Sequence, residues 1–337
     1  MPFPFHTLRA IVGGTSAIDL DRLQVADDES AQRFIESYGF DWTSAEDRVE
    51  IERFRTRAIQ FMEFFLLEGT EAIPTAVRDE TDIRALLMLV SRLRPTVESL
   101  WACAILRVMH TIAHASSDMS ATYGDAIRAQ ILERFHGHIE VRDGQTWLGD
   151  VPIVQFEERS VKSPNSIVMK LLHKPENVAA SVFDRIALRF VTADRLGALF
   201  VVRYLRTNHV IQFANIKPSR SRNTLVDVER LEALIESGDH TPEALAAEVE
   251  TWPYPDGRGD RNPFSSDRYR AIQFTGRQRV RIPLPDGEQL GFFFPFEVQI
   301  LDQASYAASR VGDASHQAYK ARQRETCRRR VLGALLD

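Results

Sequence analysis

The feature that most constrains the fold of this chain is a change in hydrophobic periodicity at Gly137. Over residues 28–135, apolar side chains recur every three or four positions, as they do on one face of an amphipathic helix. Beyond Gly137, short strand-like apolar runs alternate with helix-like segments. The pattern predicts an α+β protein, with an N-terminal helical bundle (1–137) followed by a mixed-sheet domain with flanking helices (138–337).

Composition limits the classes of function that remain open. A length of 337 residues is enough for two domains with cores of their own. The net charge of −5 argues against wrapping nucleic acid through overall basicity, so any polyanion site is expected to be local. Cys103 and Cys327 are the only cysteines, which predicts no disulfide framework and favours a reducing cytoplasm. No apolar run approaches the ~20 residues that span a bilayer, and the N-terminus has no pattern of an export signal.

The second half of the chain predicts a sheet interrupted by one long excursion. Residues 215–267 hold two short amphipathic stretches among turn-forming and basic residues, which is typical of a functional insertion. A final helix is expected over about 314–336. The predicted strands are, in chain order, IEV, VPIVQFEE, DRIALRFVT, HVIQFA, RYRAIQF, RQRVRIPL and LGFFFPFEVQIL.

Two carboxylates in this half sit in unusually apolar strands. Asp184 opens DRIALRFV, and Glu297 lies in FEVQI with Gln299 on its face of the strand. A lone strand glutamate is ordinarily a solvated residue. Transfer of phosphoryl groups, however, requires carboxylates for Mg²⁺ and cations for phosphates, and this half contains both.

Five short elements occur here in the order found in the RelA/SpoT alarmone synthetases, and this half of the chain resembles that family. They cover roughly 160 residues, counted from the first element to the last. The elements are Lys162-Ser-Pro-Asn-Ser166-Ile-Val-Met-Lys170, Asp184-Arg-Ile-Ala-Leu-Arg189, Tyr269-Arg-Ala-Ile-Gln273, Glu297-Val-Gln299-Ile and Ala314-Ser-His316-Gln-Ala-Tyr319-Lys320.

The resemblance implies a nucleotidyltransferase-like domain that moves pyrophosphate from ATP to a nucleotide, with Mg²⁺ held by Asp184 and Glu297 as the catalytic carboxylates. The residues it assigns to ATP and its phosphates are Arg159, Lys162, Ser166, Lys170 and Arg189. Those it assigns to the acceptor are Tyr269, as a ring that stacks on the base, with Gln273, Gln299, His316 and Lys320.

The acceptor itself is left open by the sequence. Gln273 and Ala271 stand where the family has His and Ser, and Ser160 stands where it has an Arg. GDP or GTP is the acceptor that the resemblance implies. The excursion is basic, with Lys217, Arg220, Arg222, Arg258 and Arg261, and so an RNA end such as that of tRNA, or an adenine nucleotide, is an alternative, as is a non-catalytic nucleotide-binding module.

Two further patterns allow either a structural or a functional interpretation. Alternation in Arg277-Gln-Arg279-Val-Arg281 places three guanidinium groups on one face of a strand, either as phosphate ligands or to discourage edge pairing. In the first half, His110, His114 and Asp118 share a helix face at a spacing that permits a metal site. Satisfied polar residues at an interface are the more common case for such a trio.

Overall fold

The structure is a computed structural model, and it describes residues 16–20, 22–116, 119–159, 163–173, 185–238, 240–256, 269–284, 287–311 and 316–336. Within these ranges, the side chains of Ala17, of residues 119–121 and of His316 are not described. The described residues form helices and two sheets, which agrees with the predicted mixture of helix and strand.

The α-helices, in chain order, are α1 (Asp28–Tyr38), α2 (Ala45–Phe61), α3 (Thr75–Arg78), α4 (Ile83–Val90), α5 (Val97–Ser116), α6 (Met119–His136), α7 (Pro164–Leu172), α8 (Arg195–Thr207), α9 (Val228–Glu236), α10 (Pro242–Thr251), α11 (Gln303–Ala308) and α12 (His316–Leu332). The strands are β1 (Ile139–Arg142), β2 (Gln145–Leu148), β3 (Val151–Ile153), β4 (Gln155–Arg159), β5 (Ala187–Thr192), β6 (Arg222–Asn223), β7 (Ile272–Pro283) and β8 (Gln289–Asp302).

Contacts between Cα atoms divide the chain into two compact units, each assembled from separate stretches. The helical unit comprises Met1–Asp118, Ser163–Val182 and Ala321–Asp337, and the sheet unit comprises Met119–Lys162 and Phe183–Lys320. The sequence predicts instead two continuous domains that meet after residue 137. Segments of the two units alternate along the chain. α7 and the last part of α12 pack with the first helices, whereas α6 packs with the strands.

In the helical unit, α5 lies at the centre, as its apolar composition predicts. Its residues Ala102, Ala104, Ile105 and Val108 are fully buried. Cys327 of α12 belongs to the same apolar cluster. Burying one large aliphatic side chain stabilises a fold by about 1.5–3 kcal/mol, so the shared core accounts for the association of these separate stretches.

In the sheet unit, β1, β2 and β3 form a small antiparallel sheet, and a larger sheet has the strand order β4-β5-β8-β7-β6. In the larger sheet β5 and β8 are parallel, and the remaining pairs are antiparallel. One face of that sheet is apolar, with Phe190, Val298 and Ile300 almost wholly buried. They share a core with side chains of α6 and α8.

Two of the predicted strands differ in the structure. HVIQFA is not a strand, because Val210 and Ile211 are buried in the turn that ends α8, where Ile211 N–H donates to the Leu205 carbonyl at 3.1 Å. The end of RYRAIQF, from Ile272, and most of RQRVRIPL, up to Pro283, form one strand, β7, that runs through Gly276. A Cβ at Gly276 would lie 2.9 Å from Cζ of Phe296, so the glycine admits this ring instead of breaking the strand.

The predicted excursion contains α9 and α10, which correspond to its two amphipathic stretches. Both cysteines are buried, and neither forms a disulfide. Among the described helices, none combines the length and the apolar character required to cross a membrane.

Candidate active site

A row of polar side chains crosses the larger sheet on the face opposite the apolar core. Because residues paired in register on adjacent strands project to the same side, the five members stand next to one another. This polar row consists of Glu157 (β4), Arg189 (β5), Gln299 (β8), Gln273 (β7) and Arg222 (β6). The sequence motifs single out Arg189, Gln299 and Gln273, and the sheet register brings these three together.

Arg189 is held by its neighbours in the row. Its Nη1 atom lies 3.2 Å from Oε2 of Glu157, and its Nε and Nη2 atoms donate to Oε1 of Gln299 at 3.2 and 2.9 Å. The side chain is only 14% exposed, so its orientation is fixed before any ligand arrives. A preorganised guanidinium of this kind suits phosphate oxygens.

Glu297 lies on the same face, two residues before Gln299, and is 8% exposed. Gln299 Nε2 donates to its Oε2 at 2.7 Å, and Gln273 Nε2 donates to its Oε1 at 2.5 Å. Glu297 pairs in register with Ala187 at the start of β5. The two amide donors hold this buried carboxylate in one orientation, and a fixed orientation is what a metal or phosphate site requires.

Tyr269 precedes β7 and is partly exposed. Burial raises the pKa of its hydroxyl above the ordinary value, the positive charge of Arg189 lowers it, and the carboxylate of Glu297 raises it. The Arg159 side chain at the end of β4 acts in the same direction as Arg189. The ring therefore lies near the polar row and keeps some surface open, and its proposed stacking role stays a prediction.

Glu157 and Tyr306 belong to this site and were not identified from the sequence. Tyr306, on α11, donates its hydroxyl to Oε1 of Glu157, and its ring lies 5.6 Å from the Arg189 guanidinium carbon. Arg310 Nη1 donates to the same hydroxyl at 2.8 Å. The alternation of Glu157 and Arg159 in β4 could have indicated from sequence that both side chains share one face of the sheet. The position of Tyr306, in contrast, depends on how α11 turns back over the sheet.

Asp184 and Lys162 lie outside the residues that the structure describes. β5, which begins at Ala187, is the parallel neighbour of β8. The predicted pairing of Asp184 with Glu297 stays a prediction. Among the described residues, no group of three or more His, Cys, Asp or Glu side chains forms a metal cluster. Mg²⁺ is commonly bound through one or two protein carboxylates together with substrate phosphates, and a role of this kind for Glu297 stays a prediction.

Ser166 and Lys170 lie on α7, in the helical unit. Ser163 caps this helix, accepting the Ser166 N–H at 3.3 Å, and Pro164 is its first residue. Lys170 is in its last turn. A shared cleft between these residues and Arg189 stays a prediction, as do the roles given to His316 and Lys320 at the start of α12.

In the histidine pattern of the first half, His110 has a hydrogen-bond partner within the helical unit. Nδ1 of His110 lies 2.7 Å from the Tyr38 hydroxyl, and the ring centroids of His110 and His114 are 4.4 Å apart. Burial, and to a smaller extent His114, lower the pKa of His110 to about 4. Asp118 lies outside the described residues. His110 is thus a buried side chain that shares a hydrogen bond with the Tyr38 hydroxyl.

Comparison with known proteins gave structural matches only. No protein-family model matches the sequence, and no curated protein matches it. Among solved structures, small alarmone synthetase 2 from Bacillus subtilis is 16% identical with a TM-score of 0.29, over 61% of this chain and 85% of that one. Small alarmone synthetase 1 from Bacillus subtilis is 13% identical with a TM-score of 0.28, over 69% and 91%.

A GTP pyrophosphokinase family protein from Streptococcus pneumoniae is 14% identical, with a TM-score of 0.27 over 66% of this chain and 85% of that one. These three solved structures are small alarmone synthetases and a GTP pyrophosphokinase family protein, which belong to the group that the sequence motifs resemble.

Proposed function

We propose that this chain is a pyrophosphokinase, which transfers the β,γ-pyrophosphoryl group of ATP to a hydroxyl of a nucleotide acceptor. The observation that carries the proposal is the buried Glu297 carboxylate, held by two glutamine amides on the sheet face that also presents Arg189. A fixed carboxylate beside a fixed guanidinium is the minimum that a magnesium–polyphosphate substrate requires from a protein.

In the reaction, the acceptor oxygen attacks the β-phosphorus of ATP, the bond from that phosphorus to the α–β bridging oxygen breaks, and AMP leaves. The proton of the acceptor hydroxyl is released to solvent. Arg189 neutralises charge on the transferred phosphates, and Glu297 fixes the position of the nucleotide's counter-ion. Mg²⁺, when bound by Glu297 and Asp184, supplies positive charge to the phosphate oxygens. Tyr269 offers a ring against which the acceptor base stacks.

GDP or GTP is the acceptor that we propose first, on the resemblance of the motifs. The substitution of Gln273 for a histidine removes an ionisable group from the acceptor side. Gln273 cannot carry a proton near neutral pH, so it contributes hydrogen bonds and not acid–base catalysis. In the structure its amide already donates to Glu297, which makes it a residue that positions the carboxylate.

The proposal is tested by incubating the purified chain with γ-labelled ATP and, separately, GDP, GTP, ADP and bulk tRNA, and then separating the labelled products. Transfer is expected to produce AMP and a labelled acceptor in equal amounts, and to stop when Mg²⁺ is chelated. Glu297→Gln should abolish transfer without unfolding the protein. The control variant Glu288→Gln changes an exposed glutamate just before β8 and should keep the transfer activity of the unmodified chain. Full activity in Glu297→Gln would contradict the proposal.

One observation favours a second candidate, a non-catalytic nucleotide-binding module. Both oxygens of Glu297 accept amide hydrogens, so the carboxylate is fully oriented without a metal. In that case ATP binds, no labelled product forms with any acceptor, and Glu297→Gln leaves ATP affinity nearly unchanged. Calorimetric titration with a non-hydrolysable ATP analogue, beside the transfer assay, separates the two candidates.

A further inference from the structure

The face of the sheet that carries Glu297 continues outward as a row of three exposed arginines on β7. Thr275 of β7 pairs in register with Glu297 of β8. Residues 277, 279 and 281 follow at intervals of two, so they share the face of Thr275 and Glu297. Their side chains are exposed. We call Arg277, Arg279 and Arg281 the arginine ladder.

An aromatic side chain lies within the ladder. Phe293 pairs in register with Arg279 and is 46% exposed. The guanidinium carbon of Arg277 lies 5.6 Å from the Phe293 ring centroid. Exposed phenylalanine beside exposed arginine combines a surface for stacking with charge for phosphate, which is the composition of single-strand binding surfaces.

A glycine on the neighbouring strand leaves room for one of these arginine side chains. Gly291 lies opposite Arg281, and a Cβ at Gly291 would lie 2.7 Å from Nη2 of Arg279. The absence of a side chain at this position lets the Arg279 guanidinium lie across the strand. Among the described residues, no carboxylate forms an ion pair with any ladder arginine, so the ladder's charge is not offset by neighbouring groups.

Protection of a strand edge does not account for the ladder. The backbone of Arg281 is already capped by Gln130 of α6, whose Nε2 donates to the Arg281 carbonyl at 2.8 Å and whose Oε1 accepts its N–H at 3.0 Å. Gln278, on the opposite face, donates to the Gln130 carbonyl at 2.9 Å. Helix α6 therefore covers this end of β7 on the core side and at its edge, and leaves the arginine face open.

We propose that the arginine ladder and Phe293 bind a single-stranded RNA segment, whose terminal nucleotide reaches the polar row. Alternate residues of a strand are about 6.6 Å apart, which suits successive phosphates of an extended single strand. Arg222 adds a further guanidinium group at the end of the polar row, where it pairs in register with Gln273. The part of the proposal that concerns the RNA end rests on the proposed function, and the binding part does not.

The test measures binding of a fluorescent 12-nucleotide single-stranded RNA to the full chain by anisotropy, at several salt concentrations and without ATP. Arg277→Ala/Arg279→Ala/Arg281→Ala should weaken binding at least tenfold. It should also reduce the slope of log affinity against log salt by about two, since each single-strand phosphate contact contributes about 0.7. Phe293→Ala should weaken binding about fivefold or more with an unchanged salt slope.

A matched control removes three other exposed arginines, as Arg33→Ala/Arg53→Ala/Arg329→Ala, which are 61%, 66% and 75% exposed. This control should bind RNA like the unmodified chain, although its net charge equals that of the ladder variant. Equal binding by the ladder variant and the control would overturn the proposal. Equally tight, Phe293-independent binding of duplex RNA or inorganic polyphosphate would overturn the assignment to single-stranded RNA.

The two proposals fail separately. Ladder-dependent RNA binding without transfer to any acceptor would leave the RNA surface standing and remove the pyrophosphokinase. Transfer to GDP, together with unchanged RNA binding by the ladder variant, would support the pyrophosphokinase and remove the RNA surface. Transfer of label to the 3′ end of the bound RNA, lost in the ladder variant, would support both proposals.

Discussion

Gln273 donates a 2.5 Å hydrogen bond from Nε2 to Oε1 of Glu297, between β7 and β8. Gln299 holds the other carboxylate oxygen from within β8 at 2.7 Å. The two amides fix both oxygens of the buried carboxylate. This relationship assigns to Gln273 a positioning role that its place in the sequence motif does not indicate.

Gln273→Leu is therefore expected to lower the transfer rate by tenfold or more. The change removes one hydrogen bond to a charged group, which is worth about 1.5–3 kcal/mol. KM for ATP should change less than kcat, because phosphate contacts are kept. Gln273→His, whose ring N–H can donate, should retain more activity than Gln273→Leu, and equal loss in both variants would remove this role.

Tyr306→Phe should raise KM for ATP several-fold with little change in kcat. The variant keeps the ring beside Arg189 but removes the hydroxyl that donates to Glu157, so that carboxylate competes more strongly for Arg189. Burial, followed by Glu157, raises the pKa of Tyr306, so the hydroxyl still donates at about pH 9, given an ordinary tyrosine pKa of ~10. Initial-rate kinetics check this, and an unchanged KM would argue that Tyr306 is structural.

Gly276→Ala should destabilise the sheet unit by about 1–3 kcal/mol, as expected for overpacking a core. The new methyl group would meet the Phe296 ring, which is 3% exposed and cannot move aside. Gly291→Ala is the control, because its methyl group meets only the end of the exposed Arg279 side chain. Urea denaturation measures both, and equal stability of the two variants would contradict the close approach at Gly276.

The lowered pKa of His110 should make the helical unit less stable as pH falls, because unfolding then lets the imidazole take up a proton. Its folded pKa of about 4 is below the ordinary 6.5, so between these values the unfolded chain takes up a proton that the folded chain refuses. Stability from this group is present above pH 6.5 and is lost as pH falls toward 4. From pH 7.5 to pH 5 the loss is about 2 kcal/mol. Denaturation of His110→Gln should show a loss smaller by that amount, and an identical pH dependence would show that His110 titrates normally.

Arg328→Met should destabilise the helical unit by about 2 kcal/mol or more. Nη1 and Nη2 of Arg328 bond the Glu71 carboxylate at 2.9 and 2.8 Å, and Arg328 is 6% exposed, so its loss leaves Glu71 unpaired in a partly buried position. Arg329→Met removes an exposed neighbour and should have an effect within about 0.5 kcal/mol. Thermal denaturation of both variants tests whether this part of α12 stabilises the helical unit.

Much of this architecture follows from local pattern, because periodicity reports which face of a segment is apolar. Helical spacing predicted the helices of the first half, with α5 buried at the centre. Alternation in Arg277, Arg279 and Arg281 predicted their common face. The division of residues 268–284 into two strands was wrong, because a glycine in sequence does not reveal whether its missing side chain serves a turn or, as at Gly276, a neighbouring ring.

Only the tertiary structure decided which residues meet. Strand order and register are set by packing of the whole sheet, and they bring Glu157, Arg189, Gln299, Gln273 and Arg222 side by side although these residues span β4 to β8. The same register places the arginine ladder on the face of Glu297. The turn of α11 after β8 brings Tyr306 to Glu157. The sequence by itself determined the kinds of chemical group available, since side-chain type is local. Their juxtaposition is a long-range property, because it depends on which strands pair and in which register.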